Sequence, residues 1–294
     1  MKQPKWIIED FAADNKFDLI AAEAKAQGME VKLLRDEPIE EYSFDHYEEK
    51  ECVIVLSSLE LANKLQNKSG WIPGPWLNSD AYQCTQYYAY LGKYLMNKDY
   101  FMLPRAEVKR RWTELIELFG KQYDALFIRP SSGHKTFTGK VYQTKNFEKD
   151  WEWVEEFTDP GDIVIISSVK TIEKEWRFIA TEDEIITGSL YRQRIGGAIM
   201  SGKYREIPMD WEDLQDEDDR SALSLAIQVA HEKYYTNPLY SIDISKTENG
   251  AFHLLEIGSF SCAGLYDCNP EIIVKHATRL AQEEWKDFYP DAEE

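Results

Sequence analysis

Two carboxylates stand in strands whose other residues are mostly apolar, and this constrains the chain more than any other feature. Asp243 lies inside Tyr240-Ser-Ile-Asp-Ile-Ser245, and Glu256 lies near the end of the run from Ala251 to Ile257. Glu248-Asn249-Gly250 separates them. Asn-Gly is a strong signal for a tight hairpin, so the two strands are expected as antiparallel neighbours. A carboxylate in a buried strand is costly unless it is paired, hydrogen-bonded or bound to a metal. Two that converge from adjacent strands offer oxygen-only ligation. That suits Mg²⁺, which takes one or two carboxylates and leaves its other positions to phosphates and water. Arginine partners or backbone amides would satisfy the same groups structurally. On the residues alone both readings stay open.

The surrounding pattern divides the chain in two. Trp6 to Glu9 reads as a buried strand, Asn15 to Gln27 as a helix stopped by Gly28, and Met29 to Leu34 as a strand. Cys52 to Leu56 is a continuous apolar strand, followed by a helix from Leu59 to Leu65. This is the rhythm of an open parallel sheet. Trp71 to Trp76 reads as a loop from its Pro and Gly content. It is either a partner surface or an aromatic segment packed on its own domain. Helices are expected over Ala81 to Met96 and Arg105 to Phe119. From Tyr123 onward short strands meet in hairpins, with helices over Phe147 to Phe157, Leu223 to Tyr234 and Glu271 to Phe288. The fold class is therefore α+β, with a small α/β unit at residues 1–103 and a larger antiparallel unit at 104–294.

Three further clusters carry possible chemistry. Ala125 to Pro130 is a strand ending in Arg129-Pro130, and a loop of small residues with Lys135 and Lys140 follows it. Small residues let backbone N–H groups approach an anion that the cations neutralise. A solvated hairpin has the same composition. Glu173, Glu175 and Arg177 follow the apolar strand Asp162 to Val169, and the period of two places Glu175 and Arg177 on one strand face. Tyr191, Arg192, Arg194 and Lys203 surround Gly196-Gly197, which reads as a basic loop. There is no Walker loop, no Gly-x-Ser-x-Gly elbow, no Cys-x-x-Cys and no histidine pair at zinc spacing. The formal charge of −19 disfavours nucleic acid as a partner. The first residues are too short an apolar stretch for a signal peptide, and no run approaches the ~18 residues of a membrane span. A cytoplasmic location is expected.

Taken in order, these clusters resemble an ATP-grasp enzyme: Arg-Pro at a strand end, a lysine-bearing loop, a linker strand, Glu-x-Arg, then Asp and Glu on successive strands. Arg129-Pro130 stands where that family commonly has Lys-Pro. The resemblance covers roughly residues 104–290 and implies ATP and Mg²⁺ as cofactors. It implies phosphate contacts from Arg129, Lys135 and Lys140, an adenine hinge at Ser167-Ser168-Val169, and ribose contacts from Glu173 or Glu175. Asp243 and Glu256 would hold the metal. Arg177 and Arg194 would stabilise the transferred phosphate or a substrate carboxylate. One departure is Gly258, where the family often carries a metal-binding Asn; either Ser259, Ser261 or water fills that position, or the metal site is weakened. The activity implied is an ATP-dependent carboxylate–amine (or thiol) ligase acting through an acyl-phosphate on a small-molecule or peptide acid. A phosphotransferase and a nucleotide-binding adaptor without turnover are the alternatives.

Overall fold

A computed structural model describes residues 2–9, 16–34, 44, 50–66, 70–195, 198–234 and 236–291, with backbone only at 195, 198 and 201–203. Gly196-Gly197 and the Lys203 side chain thus lie outside the described residues.

The first sheet is parallel throughout. Its strands are β1 (Lys5–Glu9), β2 (Val31–Leu34), β3 (Cys52–Leu56) and β4 (Ile72–Gly74), in the order β2-β1-β3-β4. Helices α1 (Phe17–Ala26) and α2 (Leu59–Gln66) connect them. The β1 residues Trp6, Ile7 and Ile8 and all of β3 are fully buried, because both sheet faces are covered and a continuous apolar run fits that setting. The expected loop at Trp71 to Trp76 instead contains β4. Pro73 is tolerated there because β4 is a sheet edge. Trp71 and Trp76 are buried, and the Trp76 indole donates to Glu284 at 2.9 Å, so this segment packs inward.

Helix α3 (Cys84–Leu91) leads to the second sheet. The helix expected from Arg105 to Phe119 is broken at Arg111 into α4 (Arg105–Arg110), α5 (Trp112–Leu115) and a π-helical turn, Ile116–Gly120. The second sheet has β5 (Tyr100–Pro104), β6 (Ala125–Pro130), β7 (Lys140–Gln143) and β8 (Ile163–Ser167), antiparallel in the order β5-β8-β6-β7. β5 spans the position where the sequence reading divides the chain. Helix α6 (Phe147–Phe157) buries Trp151 and Val154 against Leu126, Ile128 and Val164.

The third sheet holds β9 (Ile172–Thr181), β10 (Ile185–Ile195), β11 (Ala198–Ile207), β12 (Leu239–Thr247) and β13 (Phe252–Ser259). All pairings are antiparallel, in the order β11-β10-β9-β12-β13. The segment read as a basic loop is the β10–β11 hairpin. Gly250 (φ 83°) closes the β12–β13 turn, with the Asn249 side chain accepting the Ala251 amide at 3.1 Å. Helix α7 (Glu217–Ala230) covers one face of the sheet, where Trp176, Phe178, Ile242 and Ile244 meet Ala222 and Ala226. Helix α8 (Pro270–Phe288) begins with Asn269 as its cap and Pro270 in the first turn. It returns to the first sheet, packing Ile273, Ala277 and Ala281 against the core that includes Ile54.

The start of α7 is tied to the sheet by charge. Asp218 bonds Lys246 at 2.8 Å and pairs with Lys174 at 2.7 Å. Burial raises its pKa, but the two lysines outweigh it, so the carboxyl lies below its ordinary value of 3.8. A depressed carboxylate stabilises above its unfolded pKa and loses that contribution as pH falls. Asp218→Asn is therefore expected to cost about 0.5–1 kcal/mol at pH 7. Urea unfolding at stepped pH should show this gap closing below the ordinary carboxylate value.

Candidate functional site

Strand alternation carries the site. Trp176 and Phe178 face α7, so Glu175 and Arg177 face the other way. Cross-strand register then places Asp243 opposite Arg177 on one side and opposite Glu256 on the other. Arg177 and Asp243 form a two-bond fork, Nε to Oδ1 at 2.8 Å and Nη2 to Oδ2 at 2.7 Å. Nη1 of Arg177 donates to the Gly264 carbonyl at 2.8 Å. Asp243 is 2% exposed. Burial pushes its carboxyl up, and Arg177 opposes that rise.

Glu256 joins the two antiparallel sheets. It accepts from Arg129 Nη2 at 2.9 Å and from Lys135 Nζ at 3.1 Å. Burial would raise its pKa, but the Lys135, Arg129 and Arg177 cations prevail and hold it well below the usual carboxylate range. Glu175 accepts from the Tyr191 hydroxyl at 2.7 Å and from Arg192 at 2.8 Å. Burial pushes Glu175 up against those two partners. Tyr191 and Tyr266 stack with centroids 4.5 Å apart, and the Arg177 guanidinium lies 5.2 Å from the Tyr266 ring.

These groups line a cavity of about 920 Å³ between the ends of β6 and β8 and the open face of the third sheet. Seven cations (Arg129, Lys135, Lys140, Lys170, Arg177, Arg192, Arg194) and three carboxylates (Glu175, Asp243, Glu256) form its charged wall. In a chain of net charge −19 this local positive surplus suits a polyanion. The volume falls within the range of small-molecule and cofactor sites, about 300–1,000 Å³.

The structure gathers most of the sequence-derived residues here and leaves two out. Arg129, Lys135, Lys140, Ser168, Val169, Glu175, Arg177, Arg194, Asp243 and Glu256 line the cavity. Ser167 is fully buried within β8, and Glu173 is not on the cavity wall. Lys170, Asn97 and Tyr266 are on the wall and were not singled out from sequence. Asn97 is 6% exposed, and its Oδ1 has no hydrogen-bond partner among the described residues. Tyr266 had no motif to mark it. Its φ of 51° and its stacking arise only in the fold.

The donor set can be tested against Mg²⁺. Among the described residues no group of three His, Cys, Asp or Glu side chains is placed to hold a metal. Two facing carboxylates are present, and each oxygen that already accepts one bond keeps a second lone pair. Two carboxylates with nucleotide phosphates meet the needs of Mg²⁺, so the residues fit an ion that arrives with its nucleotide. The two serines named as stand-ins for the Asn are engaged away from this cavity: the Ser259 hydroxyl donates to the Trp76 carbonyl at 2.6 Å, and Ser261 Oγ accepts the Trp76 amide at 2.9 Å. Gly258 lines a neighbouring cavity instead.

Comparison with solved structures shows the same overall fold across most of the chain. D-cycloserine synthetase DcsG is 13% identical with a TM-score of 0.61, covering 95% of this chain and 99% of its own. D-alanyl-alanine synthetase A from Vibrio cholerae is 13% identical with a TM-score of 0.62, covering 96% and 99%. ATP-grasp ligase PsnB, in complex with a minimal precursor, Mg and ADP, is 11% identical with a TM-score of 0.53, covering 95% and 97%. No curated protein sequence matches the chain. The sequence model of the ATP-grasp domain, R2K clade family 2, matches residues 105–276, more than half of the chain, and places it in that family.

Proposed function

We propose that this protein is an ATP-dependent ligase that joins a carboxylic acid to an amine (or thiol) through an acyl-phosphate. The observation that carries this reading is the convergence of seven cations and three carboxylates on one cavity between the two antiparallel sheets. Family membership and the ligase neighbours support it. Arg129, Lys135 and Lys140 would hold the phosphates. Ser168 and Val169, with Asn97 beside them, would meet the adenine. Glu175 would meet the ribose; Glu173 and Ser167 take no direct part. Asp243 and Glu256 would hold Mg²⁺, which when bound neutralises charge on the phosphates.

The rest of the chemistry is positioning and charge compensation. Arg177, fixed by its fork to Asp243 and by the Tyr191–Tyr266 pair, offers positive charge beside the transferring phosphoryl group. Arg194, on β10, would add to it. A carboxylate oxygen of the acid attacks the γ-phosphorus, and the bond to ADP breaks. The amine then attacks the acyl carbon, phosphate leaves and the amine loses a proton. Excess cations in the wall compensate charge at both steps.

Acid labelled with ¹⁸O in its carboxylate tests this directly. One labelled oxygen is expected in released phosphate, with ADP formed only when acid and amine are both present. A stable product heavier by one phosphoryl group would assign a phosphotransferase instead.

A further inference from the structure

A second cavity of about 230 Å³ abuts the first and shares Arg129, Lys135, Arg177 and Glu256 with it. We propose that it seats a free acid no larger than a single amino acid, and that the terminus of a peptide is not accepted. This rests on the ligase reading above.

Three observations carry the proposal. The shared residues set three cations against one carboxylate where the two cavities meet, so a carboxylate in the small cavity faces the phosphates. The volume is roughly that of eight water molecules at ~30 Å³ each, below the range for drug-sized ligands. Away from the charged residues the lining mixes Leu59, Leu77, Tyr82 and Ile257 with Ser58, Ser132, Ser241 and Ser259, and suits a compact side group with or without a hydroxyl.

The loop after β6 forms one wall of this cavity, through Ser132 and Gly133, and is held there by docking on the N-terminal unit. A Cβ on Gly133 would lie 2.4 Å from the Ser79 carbonyl oxygen, so the two backbones touch with no side chain between them. The Ser131 carbonyl accepts the Cys84 amide at 2.9 Å, and Ser131 Oγ accepts the Thr85 amide at 3.2 Å. Asn63 bonds the His134 ring at 3.3 Å. A chain continuing from the acid toward that wall meets paired backbone.

The test uses the intact protein with Mg²⁺ and ATP. The acids are glycine, both enantiomers of alanine and serine, lactate, alanyl-alanine and an alanine tetrapeptide, each with hydroxylamine as nucleophile. A second readout needs no nucleotide. Cys262 lines the small cavity while Cys52, Cys84 and Cys268 are buried, so its alkylation by iodoacetamide at pH 9, followed by mass spectrometry, reports occupancy. Free acids are expected to drive ADP release and to slow alkylation, and peptides to do neither. Leu77→Ala should shift kcat/KM about tenfold toward leucine-sized acids, in line with the value of a few methylenes in a pocket, with KM for ATP unchanged. Peptides that turn over and protect Cys262 as well as free acids do would overturn the proposal and leave the ligase reading standing. ATP binding without ADP release for any acid or peptide would overturn both.

Discussion

Arg177→Met is expected to destabilise the protein by about 3–5 kcal/mol, the range for breaking a buried ion pair from one side. The variant leaves Asp243, 2% exposed, with its charge uncompensated, and strips a donor from the Gly264 carbonyl. For a chain of this size the melting temperature should fall by roughly 5–8 °C. The double variant Arg177→Met/Asp243→Leu removes both charges and should recover most of that loss. Thermal and urea unfolding of the single and double variants checks both statements. If the single variant melts within a degree of the parent, the fork does not carry this part of the sheet. Activity should be lost in both variants, because the guanidinium is absent from each.

Glu256→Gln separates function from stability in the opposite way. Its carboxylate is where Arg129, Lys135 and both cavities meet. Gln keeps one acceptor oxygen for the mostly buried Arg129, while Lys135 is largely exposed and finds water. Stability should therefore change by less than about 2 kcal/mol. Turnover should fall about 10²–10³-fold, the range for removing one preorganised electrostatic group. Steady-state kinetics with ATP as the varied substrate, beside a melting curve, read the two effects separately. Unchanged kcat would remove Glu256 from the chemistry.

Much of this arrangement is legible in the chain because burial and charge conflict there. Asp243 and Glu256 stand out among apolar neighbours, and Asn249-Gly250 pairs their strands. The period of two puts Glu175 and Arg177 on one face. β1 and β3 read as parallel-sheet strands because covering both faces demands unbroken apolar runs. The open question at Asp243 and Glu256, metal or arginine, finds the arginine and lysine partners in place, on oxygens that still have lone pairs to offer. β11 escapes the pattern because it is an outer strand whose sequence has no apolar alternation to reveal it. Pro73 and Gly74 hide β4, since turn residues are also tolerated on a sheet edge. The break at Arg111 within one amphipathic stretch has no Pro or Gly to announce it. Glu173 shares the strand period of Glu175 yet misses the cavity, which spacing alone does not distinguish. Tyr266 reaches Arg177 only through the fold.

The central claim is that the cationic cavity is an ATP–Mg²⁺ site, and melting curves with ATP, ADP or a non-hydrolysable analogue, with and without Mg²⁺, test it most directly. Nucleotide at a hundred times its dissociation constant should add about 2.7 kcal/mol of stability. The shift should be larger with Mg²⁺ and should be lost in Arg129→Met. A melting temperature that no nucleotide moves, with or without Mg²⁺, would contradict the account.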